Sequence, residues 1–276
     1  QQPLNGNGET KSLEQFNRSL HFGQFTPRFS MQYLSSHNQL FYASVSKGYK
    51  AGGFNVSFLN NDDYLYSPEY NWNYEIGTKL SFLNNRLSAD LSLFYIDWRN
   101  QQITNTIPTV GNVIRNAGRS RNKGIEASFQ ARPTKSWMMY MNYGYTDARF
   151  VHYQKEERGI LKDYEGNYLP MVPRHTFSLT TGYSFYDICS WIDRLTLNAG
   201  VSVTGPIYWY EDNQAKQSPY ALVNLRISIN KGCFTWEAWS KNLTNTDYLS
   251  YYFVTSKAYA QKGKPITLGT SVSISL

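Results

Sequence analysis

No apolar run in this 276-residue chain approaches the roughly 20 residues that a transmembrane helix needs. Mean hydropathy is −0.52. This excludes helical membrane proteins only, because a barrel strand turns every second side chain to lipid and escapes averaged hydropathy. Charge is scarce too, at 17% of residues, although it sums to +7. The basic residues are scattered, with no basic run interleaved with aromatics, so nucleic acid is not expected as a partner. Non-specific charge is the better account, with anionic outer-leaflet lipid as its beneficiary. The four histidines (His21, His37, His152, His175) lie far apart, with no second ligand at zinc spacing. Gly52-Gly53 precedes no helix and is not a phosphate loop, and Asp62-Asp63 reads as a solvated loop tip rather than a calcium site. No acid, base and nucleophile cluster together, so we expect neither an enzyme nor a resident cofactor or metal.

What the chain does have is aromatic residues, 16% in all with 23 Tyr, and period-two alternation from end to end. Leu195, Leu197, Ala199, Val201 and Val203 alternate with polar or small residues. So do Ala221, Val223, Leu225, Ile227 and Ile229, as well as Leu87, Ala89, Leu91 and Leu93. One apolar and one polar face result. The segments run about ten to fifteen residues, against about five or six in globular strands and roughly nine to eleven in bilayer-crossing ones. Short turns near 35–38, 84–85, 133–135, 187–192 and 231–232 alternate with long polar-aromatic loops at 50–70, 104–113, 150–172, 207–218 and 244–264. An all-β, antiparallel, up-and-down transmembrane barrel has this rhythm, with short periplasmic turns and long outer loops. About eleven strands fill residues 24–276 after a polar opening, Gln1 to Asn17, that reads as loop. No signal peptide is visible, so the N-terminus is expected to be mature or internal. An odd count, with both outer strands running downward, implies further strands from upstream or another chain.

Several stretches resemble the C-terminal half of the barrel of TonB-dependent outer-membrane receptors. They are Tyr42 to Asn55 (YASVSKGYKAGGFN), Pro68-Glu69 with Asn73 to Lys79 (NYEIGTK), Leu91 to Asp97 (LSLFYID), Asn122 to Glu126 (NKGIE) and Asn242 to Tyr248 (NLTNTDY), in the family's order. The resemblance implies a barrel of about 22 strands with a plugged lumen, of which this chain holds the last eleven or so. It further implies an N-terminal half-barrel and plug, contact with TonB through that plug, and a Gram-negative outer-membrane location among lipid and lipopolysaccharide, with a surface lipoprotein as an optional partner. The implied cargo is a ferric siderophore or other metal chelate, with haem, cobalamin or oligosaccharide as alternatives. A passive porin is the rival reading. The chain departs from the family in ending on Leu276, where an aromatic is usual.

Three groups of residues are candidates for function. Loop aromatics (Tyr64, Tyr66 and Tyr70; Tyr208, Trp209 and Tyr210; Tyr251, Tyr252 and Phe253) offer wide contact area at low entropic cost. Trp209, Tyr210, Tyr251 and Tyr252 lie deepest in their loops and are the foremost ligand-binding candidates, with Lys50 and Arg115 as charge for an anionic cargo. By alternation Glu75, Lys79, Asp90, Glu126, Arg226, Glu237 and Lys241 face inward, either as a solvated wall or as contacts to a plug. Cys189 and Cys233 fall in turns on the oxidising periplasmic side, where a disulfide between them is expected if the 187–192 turn leans over.

Overall fold

A computed structural model describes residues 19–36, 39–58, 61–107, 110–116, 118–157, 160–254 and 257–275. The opening stretch Gln1 to Asn17, His37 and the terminal Leu276 lie outside the described residues.

Eleven strands form one antiparallel sheet in strict sequence order, each beside its predecessor. They are β1 (Arg28–Leu34), β2 (Leu40–Lys50), β3 (Glu69–Phe82), β4 (Leu87–Arg99), β5 (Arg119–Ala131), β6 (Trp137–His152), β7 (His175–Cys189), β8 (Ile192–Thr204), β9 (Tyr220–Lys231), β10 (Phe234–Lys241) and β11 (Thr267–Ile274). Among the described residues β1 pairs only with β2 and β11 only with β10, so both edges of the described sheet are open. At one end tight turns join the strands. Leu83, Asn84 and Asn85 all sit at positive φ between β3 and β4, a conformation Asn tolerates better than most residues. At the other end the five long loops each carry a two-stranded ribbon, such as Leu249–Val254 with Ala258–Lys262.

Two boundaries differ from the sequence reading. β4 ends at Arg99 and β5 begins at Arg119, because Gln102–Ile107 and Gly111–Asn116 pair with each other as a loop ribbon instead of extending the wall. The turn expected at 187–192 is tighter, since Cys189 still pairs with Ile192. That tightness corrects the expected disulfide. Cys189 and Cys233 are free and exposed. Cys233 lies in the turn after β9, with β8 between it and β7, so the gap is roughly 10 Å at normal strand spacing, beyond the ~7 Å a bridge spans. A two-residue turn cannot lean across it.

The wall has no core of its own. Among the described residues the buried hydrophobics are Val113, Ala148, Phe150, Tyr153, Tyr164, Leu169 and Trp209, all in the long loops or at strand tops. One apolar face of the sheet stays open instead: Ile76, Leu91, Leu197, Ile227, Leu268 and Val272 are each at least 40% exposed. No described helix is long and apolar enough to cross a membrane, which says nothing of strands.

Candidate functional site

The other face of the sheet is polar and continuous. Register places all seven expected inward charges on it: Glu75 opposite Ser44, Lys79 opposite Asp90, Glu126 opposite Ser92 and Gly144, Arg226 opposite Asn198 and Trp239, Glu237 opposite Ser228 and Ser271, and Lys241 opposite Thr267. They do not form one cluster. Tyr42 donates to Glu75 Oε1 at 2.7 Å. On the far side Ser228 donates to Glu237 Oε1 at 2.8 Å, and Arg226 Nη1 lies 3.8 Å from the same oxygen. Lys241 sits 5.3 Å from the centre of the Trp239 ring. Between these poles hydroxyls and amides dominate, for example Ser128 donating to Asn142, which donates to Ser178. A concavity of about 630 Å³ opens over Thr180, Asn198, Asn224, Arg226, Trp239 and Lys241.

Above this face the long loops are tied to one another. Tyr168 N–H donates to Asn213 Oδ1 at 2.7 Å, and Asn213 Nδ2 donates back to the Tyr168 carbonyl at 2.9 Å. Asn167 Nδ2 donates to the Glu211 carbonyl, and Met171 N–H to that of Tyr208. The next loop is held as firmly: Val254 N–H donates to Tyr210 Oη at 2.5 Å and Leu249 N–H to Gln217 Oε1 at 2.8 Å. Two earlier loops meet where Asn55 exchanges two 2.8 Å hydrogen bonds with the Ile114 backbone.

Of the loop aromatics, five come together. Trp209 lies 6.4 Å from both Tyr251 and Tyr252, Tyr210 lies 6.3 Å from Tyr252, and Tyr251 lies 5.7 Å from Phe253. Burial divides them. Trp209 is only 6% exposed, and its Nε1 has no partner. Tyr210 is partly buried, which raises its hydroxyl pKa above the usual value. Tyr251 and Phe253 remain open, and Phe253 stacks on the exposed Tyr259 at 5.0 Å, a residue the sequence reading did not single out. Tyr208 stands apart, stacked on Tyr168 at 5.5 Å. Tyr64 packs on Phe54 and Phe58, and Tyr66 covers Gly53, within their own loop. Tyr70 lies in β3, with Lys47 Nζ 5.2 Å from its ring centre. Lys50 and Arg115 are not free cations. Lys50 Nζ lies 3.9 Å from Glu69, and Arg115 makes two 2.6 Å bonds to Asp63. Among the described residues no three His, Cys, Asp or Glu side chains come together as metal donors.

The chain matches the family described as TonB dependent receptor-like, beta-barrel, over residues 2–245. It belongs to that family. Among curated relatives it is 26% identical over 241 residues to the probable TonB-dependent siderophore receptor PiuA of Acinetobacter baumannii, covering 81% of this chain and 30% of that protein. It is also 26% identical over 262 residues to the pesticin receptor of Yersinia pestis, covering 91% and 36%. The chain thus spans about a third of the length of these relatives. In fold it superposes on the ferric yersiniabactin uptake receptor FyuA of Yersinia pestis with a TM-score of 0.75, at 23% identity, covering 90% of this chain and 36% of that one.

The stretches that resemble TonB-dependent receptors have visible structural work. In NYEIG, Glu75 accepts from Tyr42, and Gly77 leaves room for the Tyr42 ring, which a Cβ there would meet at 2.6 Å. In NKGIE, Gly124 leaves the same room for Phe94, at 2.5 Å. In NLTNTDY, the 4%-exposed Asn242 accepts from Thr246 N–H and donates to the Lys264 carbonyl, while Tyr248 stacks on Tyr220 at 4.4 Å.

Proposed function

We propose that this chain is the C-terminal half of an outer-membrane receptor that captures a ferric siderophore and imports it with energy supplied through TonB. The observation that carries the reading is a polar wall, continuous across eleven strands, beneath loops braced around an aromatic cluster. The cargo follows that of its relatives: a probable siderophore receptor and, among solved structures, a ferric yersiniabactin uptake receptor. Partners on this reading are an N-terminal half-barrel with its plug, and TonB through that plug. The inward charges from Glu75 to Lys241 suit a plug that must hold and release, because water replaces exposed ionic contacts at modest cost.

The ligand would rest on the open rings Tyr251, Phe253 and Tyr259, held up from behind by Trp209, Tyr210 and Tyr252. Such rings suit a bulky, partly apolar chelate. The test is uptake of iron-55 siderophores by cells with and without the gene, in backgrounds with and without TonB. Gene- and TonB-dependent uptake of at least one chelate is expected. Entry that persists without TonB would replace the reading with a passive channel.

A further inference from the structure

On strands β4, β5 and β6 the face opposite the polar wall changes character in steps along the strands. In β4 its successive positions are Leu91, Leu93, Tyr95, Asp97 and Arg99. In β5, running the other way, Phe129, Ala127 and Ile125 give way to Lys123, Arg121 and Arg119. In β6 the series is Met141, Tyr143, Tyr145, Asp147 and Arg149. Register lines these up, with Tyr95 opposite Lys123, Asp97 opposite Arg121, Arg121 opposite Arg149 and Arg99 opposite Arg119. The same face therefore passes from exposed Leu91 and Leu93, through exposed Tyr74, Tyr95 and Tyr143, to a charged rim on the side of the long loops.

That rim carries more positive charge than it can neutralise. Asp97 binds Arg99 and Arg119, at 3.1 and 2.5 Å. Asp147 lies 2.8 Å from Arg149 and 3.9 Å from Lys123. Arg174 leans over the Tyr145 ring, its guanidinium carbon 6.0 Å from the centroid, while Arg121 is exposed and makes no ion pair among the described residues. Two carboxylates thus face six cations and pair with four of them. The carboxylates are largely buried and the cations half open, Arg99 by 49%, Arg119 by 42% and Lys123 by 54% of the side chain. The aspartates fix Arg99 and Arg119 in place, and Arg149 is tied further to the Gly166 carbonyl and the Tyr168 hydroxyl, so the exposed Arg121 and Lys123 are the cations this rim offers most openly. The upper ends of β8 and β9 carry Val203 and Ala221 on this face, so the charge is local and not a property of the whole rim.

A cationic patch directly above a row of tyrosines, on the face that carries the exposed aliphatic residues, is at headgroup height if that face meets lipid. Arg pairs its planar donors with phosphate oxygens, and such bonds are charge-assisted. We infer that this patch on β4, β5 and β6 binds the phosphate groups of a phosphorylated glycolipid of the outer leaflet, of the lipid A type. The Tyr74–Tyr95–Tyr143 row would pack against its acyl chains where they enter the hydrocarbon. The inference rests on the outer-membrane reading given above.

The test takes the whole receptor containing this chain, purified in mild detergent, and measures retained lipid A by native mass spectrometry. Arg121→Gln combined with Lys123→Gln removes two cations while sparing those that hold Asp97. Retained bis-phosphorylated lipid A should fall about tenfold or more. Dephosphorylated lipid A should bind the unaltered receptor no better than it binds the variant. Arg86→Gln with Lys135→Gln, which removes equal charge from the short-turn end, should leave retention unchanged. Heat-modifiable migration on gels reports that each variant is assembled. Undiminished retention in the Arg121/Lys123 variant, equal loss in the Arg86/Lys135 variant, or equal binding of the dephosphorylated lipid would overturn the inference, as would retention of an acidic protein in place of lipid. Membrane fractionation separates the two readings, since a receptor absent from the outer membrane would fail the broader one first.

Discussion

Trp209 and Phe253 belong to one aromatic cluster but have different physical roles. Trp209 is enclosed and contributes packing, whereas Phe253 and Tyr259 present stacked rings to solvent. Replacing Trp209 and Tyr252 together with Ala should weaken siderophore binding by about tenfold, or ~1.4 kcal/mol. It should also speed amide exchange across 207–218 and 249–262, because the loops lose what they are braced around. Replacing Phe253 and Tyr259 should weaken binding by a similar factor and leave exchange in 207–218 unchanged. Calorimetric titration beside hydrogen-exchange mass spectrometry separates the two, and normal affinity in both variants would move the ligand elsewhere. The cysteines allow a simpler check: two thiols should titrate in unreduced, unfolded protein. A pH effect is also local. Asp163 accepts from Glu165 N–H at 2.9 Å and from Gln154 Nε2 at 3.2 Å, and these bonds hold its pKa below the usual carboxylate value. A depressed folded-state pKa means the contribution is complete above the ordinary carboxylate range and is lost as pH falls through the lowered value. Protection of the Glu165 amide should follow that course while protection within β6 does not.

Among the elements, the wall was legible because its signal is local. Two-residue periodicity, repeated between turns such as Leu83–Arg86 and Lys231–Gly232, is enough to count eleven strands and assign their faces. The failures came where alternation does not name a partner. The sequence reading carried the wall up to a loop starting at 104, but Gln102–Ile107 already belongs to a loop ribbon with Gly111–Asn116. The candidate site was half legible for the same reason. Aromatic loops stand out in the sequence, but which rings are enclosed depends on contacts such as Tyr168 with Asn213, 45 residues apart, which have no local signature. Arg115 looked like charge available to a ligand because Asp63, 52 residues away, cannot be paired with it by spacing. The face assignment has a direct consequence in β8. Leu197 is on the apolar face and Asn198 on the polar one, beside Arg226. Leu197→Arg should cost about 2–4 kcal/mol if it sits near the bilayer midplane and should reduce the assembled, heat-modifiable fraction. Asn198→Arg should assemble nearly normally, and equal defects in both would contradict the assignment.

At the scale of the whole molecule the open edges dominate. Among the described residues β1 and β11 each leave one side of their backbone without strand partners, and every residue of β1 is exposed. In hydrocarbon an unsatisfied N–H or C=O costs several kcal/mol, so an open sheet edge is not tolerated there and spanning sheets close into barrels. The eleven described strands also make an odd number, whereas single-chain bacterial barrels are even. On the outer-membrane reading proposed above, both arguments call for further strands to pair with β1 and β11. Residues 1–276 produced alone should therefore collect as aggregate or be degraded, without a heat-modifiable band. The same residues should yield a protease-resistant, heat-modifiable barrel when the remaining strands are supplied, on the same polypeptide or as a separate chain. Cysteines introduced at Ser30 in β1 and Ser271 in β11 extend the test, since each lies on an edge with no described strand beyond it. In the closed barrel these positions should cross-link to introduced cysteines on the supplied strands and not to each other. A direct Ser30–Ser271 cross-link in residues 1–276 alone, with a stable band, would mean that the eleven strands close on themselves.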